Sequence, residues 1–115
     1  MRFISGLVFK VLLLTLWVTT AALAQEARGT ITGTVKDAQG SAVPGVTVSA
    51  VHQGTNVTTT AISSEAGVYL LNALQVGTYR VNYTLQGFAP VARHVDVRAG
   101  DRLQVDIQLV VGAWT

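Results

Sequence analysis

His52 and His94 are the only histidines in the chain, and there is no cysteine. A catalytic zinc site generally takes three protein ligands and keeps one position open. His94 and Asp96 stand two apart on one face of an extended strand, His52 is remote in sequence, and no His-x-x-Glu pair occurs. Both histidines are therefore expected to face solvent, and no metal is expected. The lack of cysteine excludes a disulfide framework, a thiolate metal site and a cysteine nucleophile. Ser41, Ser49, Ser63 and Ser64 carry hydroxyls, yet none sits in a Gly-x-Ser-x-Gly elbow. Asp37-Ala38-Gln39-Gly40 lacks the alternating oxygen ligands of a calcium loop, and no phosphate-cradling Gly-x-x-x-x-Gly-Lys stretch is present. Asn56-Val57-Thr58 and Asn82-Tyr83-Thr84 match the N-glycosylation pattern, a match that arises readily by chance in a threonine-rich chain. No catalytic residue and no cofactor are expected.

The first 24 residues read as an address rather than as part of a fold. Arg2 and Lys10 precede an uncharged apolar run, and small residues at Ala22 and Ala24 close it. This is the pattern of a secretory signal peptide, with cleavage expected between Ala24 and Gln25. The charge-free run from Val11 to Ala24 is 14 residues, short of the roughly 18 that a spanning helix needs. Without Arg2 and Lys10, eight basic residues become six, against six acidic ones, so the mature chain is neutral. It carries no footprint for nucleic acid and no polybasic patch for anionic lipid. An exported protein, with no membrane span after cleavage, is the expectation.

The elements that must position everything else are strands. Glycines punctuate the mature chain at intervals suited to turns. Between them apolar residues alternate: Ile31 and Val35; Val46, Val48 and Ala50; Tyr79, Val81, Tyr83 and Leu85; Leu103, Val105, Ile107 and Leu109. Period-two alternation over several segments signals half-buried antiparallel strands. Seven are expected, at about 29–36, 45–52, 56–62, 68–72, 78–85, 91–98 and 102–110, with essentially no helix. Asp37 with Gly40, and Pro44 with Gly45, fit tight turns. A single layer would leave every apolar face wet, so two packed sheets follow. The domain occupies 29–110, after a lead at 25–28, and 111–115 reads as a tail or the start of a linker.

In order, the landmarks are Gly29-x-Ile31-x-Gly33-x-Val35-x-Asp37, then Gly40 through Pro44-Gly45-Val46, then Gly67-Val68-Tyr69, Gly77-Thr78-Tyr79, Gly87-Phe88, and Val105-Asp106-Ile107-Gln108-Leu109. The set resembles the carboxypeptidase regulatory-like domain over about residues 28–110. The resemblance implies a seven-stranded antiparallel Greek-key sandwich of the transthyretin (prealbumin-like) kind. It also implies an accessory domain without the peptidase's metal ligands, often the N-terminal extension of bacterial TonB-dependent outer-membrane receptors. The periplasm or outer membrane is the implied location, and a receptor plug, barrel or other envelope protein the implied partner. Gly33, Asp37, Pro44, Gly45, Gly67, Tyr69, Gly77, Tyr79, Gly87 and Phe88 are then folding residues rather than chemical ones.

The rival reading is a carbohydrate-binding module of the starch-binding-like sandwich type, with a glycan as partner. Sugars dock on exposed aromatic faces, but Tyr69, Tyr79 and Tyr83 fall at inward positions of their strands. Trp114 is the only tryptophan after residue 24 and the candidate contact for a ligand or partner. The uncharged, β-prone run Asn56–Ile62 reads as an ordinary paired strand, with a sheet edge, where a partner strand could add, as the alternative.

Overall fold

The structure is a computed structural model and describes residues 28–112. Ala24, Gln25 and Trp114 lie outside the described residues. Eight strands follow in order: β1 (Gly29–Asp37), β2 (Thr47–His52), β3 (Thr58–Ile62), β4 (Val68–Leu74), β5 (Gly77–Thr84), β6 (Val91–Val97), β7 (Arg102–Gln104) and β8 (Ile107–Leu109). No helix occurs among the described residues. One sheet has the order β4-β1-β7, with β8 also on β1; the other runs β3-β2-β5-β6.

Alternation sets the core. Ile31 and Val35 of β1, Val48 and Ala50 of β2, Leu71 of β4, Val81 of β5 and Leu109 of β8 are all fully buried between the sheets. Each large apolar side chain so placed contributes about 1.5–3 kcal/mol. Tyr69, Tyr79 and Tyr83 are buried as their strand positions require. The run Asn56–Ile62 contributes β3, which pairs with β2 on one side and forms an edge of its sheet on the other. Pro44-Gly45 turns the chain into β2, and the buried Ser63 fastens that turn. Its Oγ donates to the Val43 carbonyl at 2.8 Å and accepts from Val46 N–H at 2.9 Å.

The expected seventh strand is two strands, and it pairs parallel to β1 rather than antiparallel. Thr30 lies opposite Arg102 and Ile31 opposite Leu103; past the gap, Val35 lies opposite Ile107 and Asp37 opposite Leu109. The register is the same on both sides, so no residue has been inserted. Only the hydrogen bonding is interrupted. In an unbroken parallel ladder the Thr34 N–H would donate to the Val105 carbonyl. Here the Tyr69 hydroxyl, reaching over from β4, donates to that carbonyl instead. The Thr34 N–H turns to Asp106 Oδ1 at 3.0 Å, and Thr34 Oγ1 donates to the same oxygen at 3.2 Å. A side-chain carboxylate thus replaces one backbone acceptor. The parallel pairing itself is a matter of topology: alternation shows which residues face inward, not which way a neighbouring strand runs.

A second departure lies at the end of β4. Gly29 pairs with Leu74 but Ile31 with Leu71, so β4 carries an extra residue there, a bulge. Ala73 sits in the left-handed region at φ 56°. The Asn72 side chain holds the bulge by accepting from the Ala73 N–H at 2.9 Å.

Gly33 lies under the ladder break, where a Cβ would collide with the Val105 carbonyl and lie 2.9 Å from the Tyr69 hydroxyl. Gly33→Ala should lower stability by about 3 kcal/mol, the upper end of overpacking penalties. Gly40, at φ 84° with nothing within 4 Å of its absent Cβ, is the control; Gly40→Ala should cost about 1 kcal/mol from the left-handed backbone alone. Urea denaturation of the two variants measures the difference, and equal losses would contradict the close-approach account.

Candidate functional site

Three places gather polar or apolar groups in ways that could do more than fold the chain. The first is the ladder break. Tyr69 and Tyr83 meet across the core with hydroxyls 2.7 Å apart and rings edge to face at 5.5 Å. Tyr69 has one proton and gives it to the Val105 carbonyl, so Tyr83 must donate to Tyr69. Burial pushes both hydroxyls upward. Both phenols therefore stay neutral far beyond neutral pH and act as fixed donors, not as proton-transfer groups. Asp106, at the surface, is held below its ordinary value chiefly by the Thr34 N–H, with Gln104, the Thr34 hydroxyl and Lys36 adding to it. The groups joined here link both sheets; a shallow open hollow of about 390 Å³ lies on the outer side of Thr34 and Asp106, beside Lys36 and Asp37, and neither tyrosine lines it.

The second place is the end where the chain enters. His52 was expected to face solvent; it is half-buried and fixed on both ring nitrogens. Its Nδ1 accepts from Gly54 N–H at 3.0 Å and Thr55 N–H at 3.1 Å, which leaves Nε2 to donate to the Val76 carbonyl at 3.0 Å. The ring stands edge-on to Tyr79 at 5.0 Å, and the Tyr79 hydroxyl donates to the Gln75 carbonyl at 2.8 Å. His52 and Tyr79 together clamp the turn before β5. Gly77 follows from that, because any Cβ there would run into the imidazole. His94 does face solvent, and Asp96 is occupied by the Thr78 hydroxyl at 2.7 Å. Among the described residues no three of His, Asp and Glu come together to hold a metal ion.

The third place is the opposite end, where the chain leaves β8. An open groove of about 930 Å³ runs between Thr47, Leu85, Phe88, Pro90 and Val111. Phe88 packs one side against the core and offers the other to the groove. The outgoing chain forms its floor: Ala89 N–H donates to the Val110 carbonyl at 2.9 Å, and Gly112 N–H to the Gly87 carbonyl at 3.2 Å. Among the described residues no ionisable side chain lines this groove, and those that do line it suit apolar surface rather than acid–base or nucleophilic work.

The remaining landmark residues are built into turns. Asp37 Oδ1 accepts from both Gln39 and Ser41 N–H at 2.9 Å, which folds the turn before Gly40. Gly45, Gly67 and Gly87 all take positive φ. The structure does not bring the sequence-chosen residues together at one locus; they are spread over both sheets and both ends. Asp106, Ser63, Thr34 and Asn72 are polar side chains whose roles the sequence reading missed. Asp106 is the one acidic group among the outward residues Arg102, Gln104 and Gln108 of its segment, a weak cue. Ser63 had no cue beyond being the last residue before a turn.

The architecture is that of a two-sheet β-sandwich domain. The chain belongs to the carboxypeptidase regulatory-like domain family, whose model matches residues 30–110. Among solved structures it is similar to BcpA, the major pilin subunit of Bacillus cereus, at 17% identity and TM-score 0.60, over 71% of this chain and 28% of that one. A candidate carbohydrate binding protein from Bacteroides uniformis matches at 21% identity and TM-score 0.59, over 74% and 42%. Catechol 1,2 dioxygenase from Acinetobacter radioresistens matches at 11% identity and TM-score 0.64, over 78% and 54%. The chain therefore spans between about a quarter and about half of these proteins, and at such identities the likeness is one of fold. A search of curated proteins finds no match.

The Asp106 contact predicts an acid-sensitive stability. Asp106→Ala removes the acceptor of the Thr34 N–H at an exposed position, and should cost about 1 kcal/mol at pH 7. Its folded pKa lies below the ordinary 3.8, so the contribution is complete above that value and is lost as pH falls through the folded pKa. Urea titrations of both proteins between pH 7 and 2 should show the gap closing below about pH 4; a gap constant with pH would contradict the assignment.

Proposed function

We propose that the chain is an exported, non-catalytic accessory module of the bacterial envelope, the N-terminal periplasmic extension of a TonB-dependent outer-membrane receptor or a detached copy of one. The observation that carries this reading is the family match over residues 30–110 directly behind a leader-like segment. The structure supports it by what its chemical groups are already doing. Tyr69, Tyr79, Tyr83, His52, Asp37 and Ser63 are all bound within the fold. What remains for contact is the edge of β3, with Thr58 and Thr60 exposed, and the end loops around Phe88. Such surfaces suit a protein partner, a receptor plug or barrel or another envelope protein, and call for no cofactor.

The carbohydrate reading has weaker support. The tyrosines that would stack on sugar rings are buried, which leaves Phe88 and Trp114 as aromatic contacts.

The test is expression of the full chain with a C-terminal tag in a Gram-negative host, followed by fractionation and intact-mass analysis. The expected product begins at Gln25 and is found in the periplasmic or outer-membrane fraction. An uncleaved product confined to the cytoplasm would overturn the proposal. The same material, scanned against soluble glycans, should show no change in melting temperature; a saturable rise would favour the carbohydrate module instead.

A further inference from the structure

The parallel pairing of the first and last strands has a mechanical consequence. Thr30 lies opposite Arg102 and Asp37 opposite Leu109. The chain therefore enters at Arg28 at one end of the sandwich and leaves past Leu109 at the other. Tension applied between these points runs along the strands and drives β1 and β7–β8 past each other. The hydrogen bonds between them lie across the pull and are loaded together. In a hairpin whose two open ends are drawn apart, by contrast, the bonds break one at a time. A single bond is weak on its own, so simultaneous loading is what makes such a ladder hold.

The side chains reinforce the same seam. Thr30 N–H donates to the Asp101 carbonyl at 2.8 Å and Val105 N–H to the Thr32 carbonyl at 2.8 Å, on the entry side of the break. At the break, Thr34 holds Asp106 through both its N–H and its hydroxyl. The Tyr69 hydroxyl reaches the Val105 carbonyl from β4, so the last strand is tied across β1 to the strand on its far side, and through Tyr83 to the other sheet. β1 is the central strand of its sheet, bonded on both edges. Beyond β8, the bonds of Val110 and Gly112 to the 87–89 loop secure the outgoing chain once more.

We infer that this module is a tension-bearing link, in which β1 and β7–β8 form a shear clamp that keeps the sandwich folded when the chain on either side is pulled. The inference goes beyond the accessory-module reading and does not depend on it. It assigns to Asp106 and Thr34 a load-bearing role at the exit strand.

Single-molecule pulling tests this directly. The chain has no cysteine, so introduced pairs give unique attachment points. Ala27→Cys with Ala113→Cys loads the proposed clamp in shear. Gln75→Cys with Arg98→Cys, at exposed positions just outside the open end of the β5–β6 pair, loads a hairpin in the unzipping direction. At one loading rate the first geometry should unfold at a force at least about twofold higher, since forced unfolding reports the barrier along the pulled coordinate. Adding Asp106→Ala should lower the force in the first geometry and leave the second unchanged. Equal forces in the two geometries would overturn the inference. So would an Asp106→Ala effect of the same size in both, which would mark a general loss of stability rather than a clamp.

Discussion

The Val105 carbonyl can accept the Tyr69 hydroxyl or continue the ladder to Thr34, and the fold is arranged around its accepting the hydroxyl. A buried phenol without a partner would cost a large part of the stability of a domain this small. Giving it the Val105 oxygen satisfies Tyr69, and Tyr83 is satisfied by Tyr69 in turn. The displaced Thr34 N–H then needs an acceptor, and Asp106 supplies one from the solvent side. Gly33 must be glycine because the Val105 carbonyl comes too close for any side chain. Gly33 in β1, Tyr69 in β4, Tyr83 in β5 and Asp106 between β7 and β8 all answer to one oxygen atom. No buried polar side-chain atom among the described residues is left without a partner.

The same economy bears on function. Residues that might have formed a site are committed to the frame: His52 and Tyr79 to the turn before β5, Asp37 to the turn after β1, Ser63 to the approach to β2. Chemistry needs groups that are positioned yet free to react, and here the positioned groups are already spent on the backbone. The surfaces open to contact include the uncharged edge of β3, an apolar groove beside Phe88, and two chain ends at opposite poles. These features suit contact and connection.

Much of this was legible in the residues. Alternation located the strands to within a residue or two, and it placed the three tyrosines inside. The ordered glycines, Asp37, Pro44 and the Gly-Phe pair pointed to the family over nearly the whole domain. What alternation cannot carry is direction and hydrogen-bond bookkeeping. It marked 102–110 as one strand with Asp106 outward, which is correct for its exposure, but it could not show that a distant tyrosine would claim the carbonyl beside it. Nor could it place the last strand parallel to the first. His52 misled because a lone polar residue at a strand end usually does face water; here two backbone N–H groups and a carbonyl converge on its ring. The bulge at Ala73 was invisible, since alanine is not the residue that normally marks a left-handed turn.

The coupling at the ladder break can be measured by a double-mutant cycle on Tyr69→Phe and Asp106→Ala, with stability read from urea denaturation. If the Tyr69 hydroxyl is what draws the Val105 carbonyl away from Thr34, removing it frees that carbonyl to rejoin the ladder, and the Asp106 carboxylate becomes redundant. Asp106→Ala should then cost less in the Tyr69→Phe background than in the native chain, with an interaction energy of about 0.5 kcal/mol or more. Additive losses, agreeing within a few tenths of a kcal/mol, would contradict the view that one carbonyl links the tyrosine pair to the terminal strands.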